Sequence, residues 1–273
     1  MERIPFSSFE SPDEWKISQH LPSICLWKGD TVLRRIGSSS TRAMVFQVII
    51  DGINMACKIL IDTELNTTEK NNEEVKISKF LGDKYPEYFP KVYFVGHCDN
   101  VMIPPGISNK ELIDNGILYQ LMSRIKNEPK LVQKKLYMKY HLNYDINVYL
   151  DFLRIKDITE IKIPATLMFS ELAYEDLNSW VQKDHSTSEY HKIINHVIEG
   201  IKILSSENIS HRDLHLGNVL IFHSNGNEIA KITDFGESLR MRDQQFDTEK
   251  FIDSLLKVQN LPEEIRKELM SMI

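Results

Sequence analysis

Short runs of alternating apolar and polar residues begin at Thr31. Val32-Leu33-Arg34-Arg35-Ile36, Met44 to Ile50 and Asn54 to Ile61 each predict a strand. Asp51-Gly52 between the last two predicts a tight hairpin, a turn whose central residues need positive φ. The period then changes: Glu69 to Leu81 predicts a helix, with Val75, Ile77, Phe80 and Leu81 on its apolar face. Lys91-Val92-Tyr93-Phe94-Val95 predicts a further strand, ended by Gly96. Ala165-Thr166-Leu167-Met168-Phe169 predicts a buried one, with Ser170 to Leu177 as the connector after it. Ile193, Ile194, Val197, Ile198, Ile201 and Leu204 share one helical face and lead straight into His211. Val219-Leu220-Ile221, the turn Asn225-Gly226-Asn227 and Ile229-Ala230-Lys231-Ile232 predict a second hairpin. Phe246 to Ile273 predicts two helices joined at Leu261-Pro262, with Pro262 suited to a first-turn position.

Asp99 to Pro164 is less regular. Leu118 to Tyr140 has helical character interrupted by Pro129, and Tyr144 to Lys156 has the pattern of a second helix. Lys126, Lys130, Lys134, Lys135 and Lys139 recur there; they read as a solvated face, with a docking surface for an acidic partner as the alternative. The first thirty residues are mixed, with Trp15 and Trp27 as candidate packing anchors.

The chain has 273 residues, is 42% hydrophobic and 26% charged, and carries a net charge of −6. This suits a globular chain of one large or two small domains. Both signs of charge are spread along it, so neither nucleic acid nor membrane is expected as a partner. Three cysteines, Cys25, Cys57 and Cys98, lack metal-ligand spacing and imply a reducing compartment with no disulfide framework. No signal-like core or spanning apolar run is present. An intracellular location is expected.

The candidate chemistry concentrates in His211-Arg212-Asp213-Leu214-His215-Leu216-Gly217-Asn218 and Asp234-Phe235-Gly236. A carboxylate, an amide five residues on and a second carboxylate beyond a hairpin have the spacing of a phosphoryl-transfer catalytic loop and metal-binding turn. Asp213 is the candidate base that accepts the hydroxyl proton. Asn218 and Asp234 supply hard oxygen ligands suited to Mg²⁺. His211 reads as a packing and hydrogen-bonding residue rather than a base. Lys58, in a strand, is the candidate cation for the α- and β-phosphates of ATP. Glu74 is its favoured partner, because Ile77 and Leu81 then lie on the packed face; Glu73 stays open as the alternative. Ile36-Gly37-Ser38-Ser39-Ser40-Thr41-Arg42 is the candidate phosphate-covering loop, with Gly37, Ser38 and Ser39 nearest the nucleotide.

Together these residues resemble the eukaryotic protein-kinase superfamily over about residues 31–260. The resemblance implies an α+β, bilobal protein-kinase-like fold: a small N-lobe of antiparallel sheet plus one helix, and a reduced, mainly helical C-lobe. After an N-terminal extension (1–30), the kinase-like domain would span 31–273. The N-lobe would run from about 31 to 169 with an insertion at about 99–164, and the C-lobe from about 174 to 273. Mg-ATP would bind in the cleft. Ser170 would be the gatekeeper, Glu171-Leu172-Ala173 the hinge whose backbone meets the adenine, and Asp176 a ribose contact.

His215 stands where most Ser/Thr kinases have lysine, and no Ala-Pro-Glu follows Asp234-Phe235-Gly236. In these respects the chain resembles haspin-like kinases, through Asp213-Leu214-His215, the Glu171 to Leu177 hinge pattern and Gln245-Phe246-Asp247. By that likeness Asp247 would brace the catalytic loop. Compact serine/threonine kinases of large DNA viruses are similar too. With no evident activation-loop phosphosite for Arg212 to contact, activity without such phosphorylation is expected. The leading expectation is an ATP- and Mg²⁺-dependent Ser/Thr kinase acting on a protein substrate. A small-molecule kinase of the aminoglycoside or choline type is the first alternative, and a pseudokinase binding module the second.

Overall fold

The structure is a computed structural model and describes residues 19–21, 25, 32–36, 43–61, 68–102, 162–224 and 226–272. A five-stranded antiparallel sheet is built from β1 (Val32–Ile36), β2 (Ala43–Ile50), β3 (Ile53–Ile61), β4 (Val92–Met102) and β5 (Lys162–Glu171), in the order β1-β2-β3-β5-β4. One helix, α1 (Thr68–Lys84), lies between β3 and β4. After β5 come a short strand β6 (Glu175–Asp176), α2 (Leu177–Trp180) and the long α3 (Thr187–Ser206). A 3₁₀ turn (Leu216–Asn218) leads into the hairpin of β7 (Val219–Ser224) and β8 (Asn227–Ile232), followed by α4 (Gln244–Leu256) and α5 (Glu263–Met272). Among the described residues this is an α+β architecture: an antiparallel N-terminal sheet carrying α1, and a mainly helical lobe.

Local chemistry explains the key elements. In the β2–β3 hairpin Asp51 and Gly52 take φ of 50° and 80°, the left-handed pair that such a turn requires. Helix α3 starts with a capping box: Ser186 accepts from the Glu189 N–H, and Glu189 accepts from the Ser186 N–H. Its apolar face, including Ile193, Val197, Ile201 and Leu204, packs into the main core. That core also takes Ile77 and Leu81 from α1, together with Phe89 and Phe235. The helix of the upper lobe is therefore bonded to the lower one by apolar contact as well as by charge.

Three expectations need correction. β4 does not end at Gly96 but continues to Met102, because it stays paired with β5 from Gly96–Leu167 to Met102–Lys162; Gly96 itself makes room for the Leu21 side chain, 2.6 Å from where a Cβ would stand. The connector after Phe169 is partly sheet: β5 runs on to Glu171 by pairing Ser170 with Ala56 and Glu171 with Met55. The cysteines are not all free either. Cys25 and Cys98 form a disulfide with Cα atoms 5.8 Å apart, near where Leu21 lies over Gly96 of β4; only Cys57 is free, and it is buried. The sequence separation of 73 gave no hint of this pairing. Residues 103–161 with their lysines, Trp15, Trp27 and the Gly37–Arg42 loop lie outside the described residues.

The disulfide closes a long loop, and the chain-entropy argument gives it a value on the order of 4 kcal/mol. Reduction is accordingly expected to lower the melting temperature by roughly 5–10 °C. The Cys25→Ser/Cys98→Ser protein should melt at that lower temperature with or without reductant. An unchanged melting curve in dithiothreitol would rule the cross-link out as a stabilising feature.

Candidate active site

Alternation along β3 buries Cys57 and turns Lys58 towards the cleft, with Ala56 on the same face. Register places Ala56 opposite Ser170, and Lys58 opposite Val45, which itself pairs with Ile36. Ile36, Val45, Ala56, Lys58 and Ser170 thus form one half-buried roof. Below it, Leu220 of β7 pairs with Asp176.

Lys58 is held between two carboxylates, its Nζ 2.5 Å from Glu74 Oε1 and 2.7 Å from Asp234 Oδ1. Burial alone would lower the lysine pKa, but the charges of Asp234 and Glu74 outweigh it and hold the ammonium well above the ordinary lysine range. Burial pushes the Glu74 carboxyl up, against the pull of Lys58. For Asp234 burial pushes upward as well, yet the Lys58 charge prevails and the carboxyl stays below its usual range. The choice left open between two glutamates is decided by geometry: Glu74 meets Lys58, whereas Glu73 pairs with Arg240 at 2.9 Å. Gly236 is needed beside this cluster, since a Cβ there would stand 3.0 Å from Glu74 Oε2.

The catalytic loop is fastened at both ends. Asp247 of α4 is 1% exposed and accepts from the backbone N–H of His211 (2.8 Å) and Arg212 (2.9 Å) and from Ser210 Oγ (3.3 Å). This is the bracing role expected for it. His211 is fully buried, its Nε2 2.8 Å from the Thr233 carbonyl, and burial lowers its pKa despite Asp234, Asp247 and Asp213 nearby. It is a neutral packing residue, as the sequence implies. At the other end Asn218 Nδ2 donates to the Asp213 carbonyl (2.9 Å), and the Thr233 N–H donates to the Asn218 carbonyl (2.9 Å). The β7–β8 hairpin, with Val219 opposite Ile232, so brings Asn218 beside Asp234. Arg212 and Asp234 have φ of 69° and 67°, strained values for non-glycine residues that mark the two ends of the site.

The remaining nucleotide candidates are placed as follows. The backbone N–H and C=O of Ala173 have no hydrogen-bond partner among the described residues, as a hinge contact to a ligand requires. Asp176 caps α2, accepting from the Ser179 N–H at 2.7 Å. The Glu171 carboxylate is engaged within the protein, by Lys231 Nζ at 2.5 Å and the Lys91 N–H at 3.2 Å, and its own N–H donates to the Lys91 carbonyl at 3.0 Å, so neither the carboxylate nor the N–H is open to a ligand. Gly37, Ser38 and Ser39 lie outside the described residues.

Sequence reasoning missed several residues of this region. Lys231, 5% exposed, ties the hinge to the strand leading into Asp234; a lone lysine between Ala230 and Ile232 was the available signal. Glu237 and Arg240 bind Lys70 and Glu73 of α1. Arg212 finds its anion within the chain, in Asp243 at 2.8 Å, and its guanidinium lies 3.8 Å from the Phe246 ring centroid. Ser210 and Leu239 form a β-bridge that fixes the segment after Gly236 against the catalytic loop. Nothing in the linear spacing marked these partners.

The residues present suit a magnesium–nucleotide pair. Asn218 uses its amide nitrogen internally and keeps Oδ1 without a protein partner among the described residues, and its carbonyl is bonded by the N–H of Thr233, the neighbour of Asp234. Two hard oxygen donors are too few for a protein-only cage, and no group of three or more His, Cys, Asp or Glu among the described residues could hold a metal. They match a hexacoordinate ion that takes its other ligands from phosphate and water.

An α+β bilobal fold with this charge set resembles that of the protein kinases. Residues 124–255, just under half of the chain, match the family model for the protein kinase domain, which supports placement in the eukaryotic protein kinase superfamily. Among curated proteins, the eIF-2-alpha kinase GCN2 of Schizosaccharomyces pombe (strain 972 / ATCC 24843) is 45% identical over 49 residues, 18% of this chain and 3% of that protein. The matched stretch is thus a small part of the relative's length. No helix among the described residues is long and apolar enough to cross a membrane.

Proposed function

We propose that the chain is an ATP- and Mg²⁺-dependent serine/threonine protein kinase with Asp213 as the base. The observation that carries this is the meeting of Lys58, Glu74 and Asp234 within ion-pair distance, next to Asn218 and the catalytic loop. Phosphoryl transfer needs positioning and charge neutralisation rather than a protein nucleophile, and this cluster is built of fixed charges. ATP supplies the phosphoryl group, and Mg²⁺ would neutralise its charge, held by Asn218 and Asp234. Lys58, oriented by Glu74, would bind the α- and β-phosphates, and the Ala173 backbone would meet the adenine. Asp213 would take the proton of the acceptor hydroxyl. The match to an eIF-2-alpha kinase favours a protein acceptor. Asp213-Leu214-His215 and Gln245-Phe246-Asp247 favour a haspin-like kinase within that class.

The test is transfer from labelled Mg-ATP to a protein panel and, in parallel, to a panel of sugars and amines. Lys58→Met is expected to weaken nucleotide binding and to cut transfer at least about 100-fold. A fully active Lys58→Met protein would remove the basis of the assignment. Transfer to amines or sugars alone would move the enzyme to the small-molecule class, and Mg-ATP binding without turnover would make it a binding module.

Because Asp243 already holds Arg212, no phosphorylated residue is required to satisfy that guanidinium. Phosphatase-treated protein is expected to keep its full transfer rate. Loss of activity on treatment, restored by autophosphorylation, would show that a phosphate is needed after all.

A further inference from the structure

His215 occupies a defined place beside the base. It opens the 3₁₀ turn at Leu216–Asn218, and its Nδ1 accepts the Gly217 N–H at 3.0 Å. A neutral imidazole whose Nδ1 accepts must carry its proton on Nε2, so this bond selects the tautomer. Gly217 is what lets the ring lie there, because a Cβ at that position would stand 3.0 Å from His215 Cε1 and 3.1 Å from Nδ1. The protonated Nε2 then lies 3.9 Å from Asp213 Oδ2. Among the described residues no hydrogen bond reaches the Asp213 carboxylate, and His215 is the basic side chain within 4 Å of it. Both side chains are about half exposed, 50% for His215 and 58% for Asp213, and neither is packed so as to prevent the remaining approach of about 1 Å.

From this geometry we infer that His215 is a positioning residue for Asp213: its Nε2–H holds Oδ2 and thereby aims Oδ1 at the proton of the acceptor hydroxyl. A carboxylate with two free oxygens on an exposed side chain samples several rotamers. A donor fixed on one oxygen leaves the other in a single direction, and misplacement by about 1 Å can cost as much as 100-fold in rate. The direction of the hydrogen bond also fits the reaction. Asp213 gains a proton as the acceptor oxygen attacks the phosphoryl group, and that proton goes to Oδ1 while Oδ2 keeps its donor. The inference rests on the kinase reading above and assigns a role within that site.

Steady-state transfer from labelled Mg-ATP to the best acceptor of the protein panel tests it. His215→Ala is expected to lower kcat roughly 10- to 100-fold with KM for ATP within twofold of wild type. His215→Gln, whose amide nitrogen reaches the Nε2 position, should recover most of the rate. Gly217→Ala, which asks the ring to give by a few tenths of an ångström, should lower the rate by less than His215→Ala. In an Asp213→Asn background, His215→Ala should cost little more, since both changes remove the same oriented oxygen. The inference is overturned if His215→Ala turns over within twofold of wild type, if the loss is as large without Asp213, or if only KM for ATP moves, which would place His215 on the nucleotide.

Nitrogen-15 NMR of the ring separates this from the kinase reading. An Nε2–H tautomer whose shifts move in Asp213→Asn supports the contact even if the wild type proves inactive. A ring protonated on Nδ1, or blind to Asp213→Asn, sinks the inference even if the enzyme is active.

Discussion

Replacing Asp213 by alanine is expected to lower kcat by about 10²- to 10⁴-fold, the range for loss of a positioned general base. The dissociation constant for Mg-ATP should change by less than about threefold, since the carboxylate makes no contact with Lys58, Glu74 or Asp234. The fold should survive as well. The Asp213 side chain is 58% exposed and accepts no hydrogen bond among the described residues, so its removal leaves no buried group unpaired. Isothermal titration with Mg-ATP, thermal melting and single-turnover transfer would separate the three quantities. Wild-type turnover in Asp213→Ala would refute its assignment as the base. A collapse of nucleotide affinity with normal turnover at saturation would assign it to binding.

Asp247→Ala is expected to strike stability and rate together. This carboxylate is buried and accepts the N–H groups of His211 and Arg212 along with Ser210 Oγ. Its deletion leaves two donors of the catalytic loop without an acceptor, each worth about 1–3 kcal/mol when stranded away from water. A loss of roughly 3–5 kcal/mol in unfolding free energy follows, or about 10 °C in melting temperature for a chain of this size. Arg212 is held at φ 69°, and without its partner the backbone is free to relax from that strained value. The loop would then carry Asp213 away from its working position, so kcat should fall about 10- to 100-fold even below the new melting temperature. Asp247→Asn, which keeps one acceptor oxygen, should lie between the two. Denaturant unfolding of the three proteins, with transfer assays at 15 °C, decides the matter. An Asp247→Ala protein that melts within 2 °C of wild type would mean the brace is energetically idle.

The two substitutions differ for a physical reason. Asp213 faces solvent and, as the proposed base, would act on what enters the cleft, whereas Asp247 faces the backbone and holds the shape of the loop. Activity alone would not distinguish them; stability does.

The sequence by itself determined the elements and the chemical groups. Periodicity separated the strands from α1 and α3, because side-chain burial repeats every two residues in one and every 3.6 in the other. Asp51-Gly52 specified its hairpin, since only certain residues take positive φ at low cost. The spacing of Asp213, Asn218 and Asp234 specified the catalytic hairpin, because a hairpin of fixed length returns the chain to its start. These are local rules, legible in a window of some twenty residues.

Tertiary structure alone decided the rest. Glu74 rather than Glu73 meets Lys58 because of how α1 rotates against β3, and neighbouring positions on a helix differ by 100°. The Cys25–Cys98 cross-link, the Arg212–Asp243 pair and the buried Lys231–Glu171 brace all join residues from separate elements. Their ends meet only after the lobes pack, and a charge or a thiol carries no mark of its distant partner. For the same reason the linear motif named Asp213 but not the role proposed for its neighbour His215. Only the placement of the His215 ring over Gly217 shows which nitrogen faces Asp213.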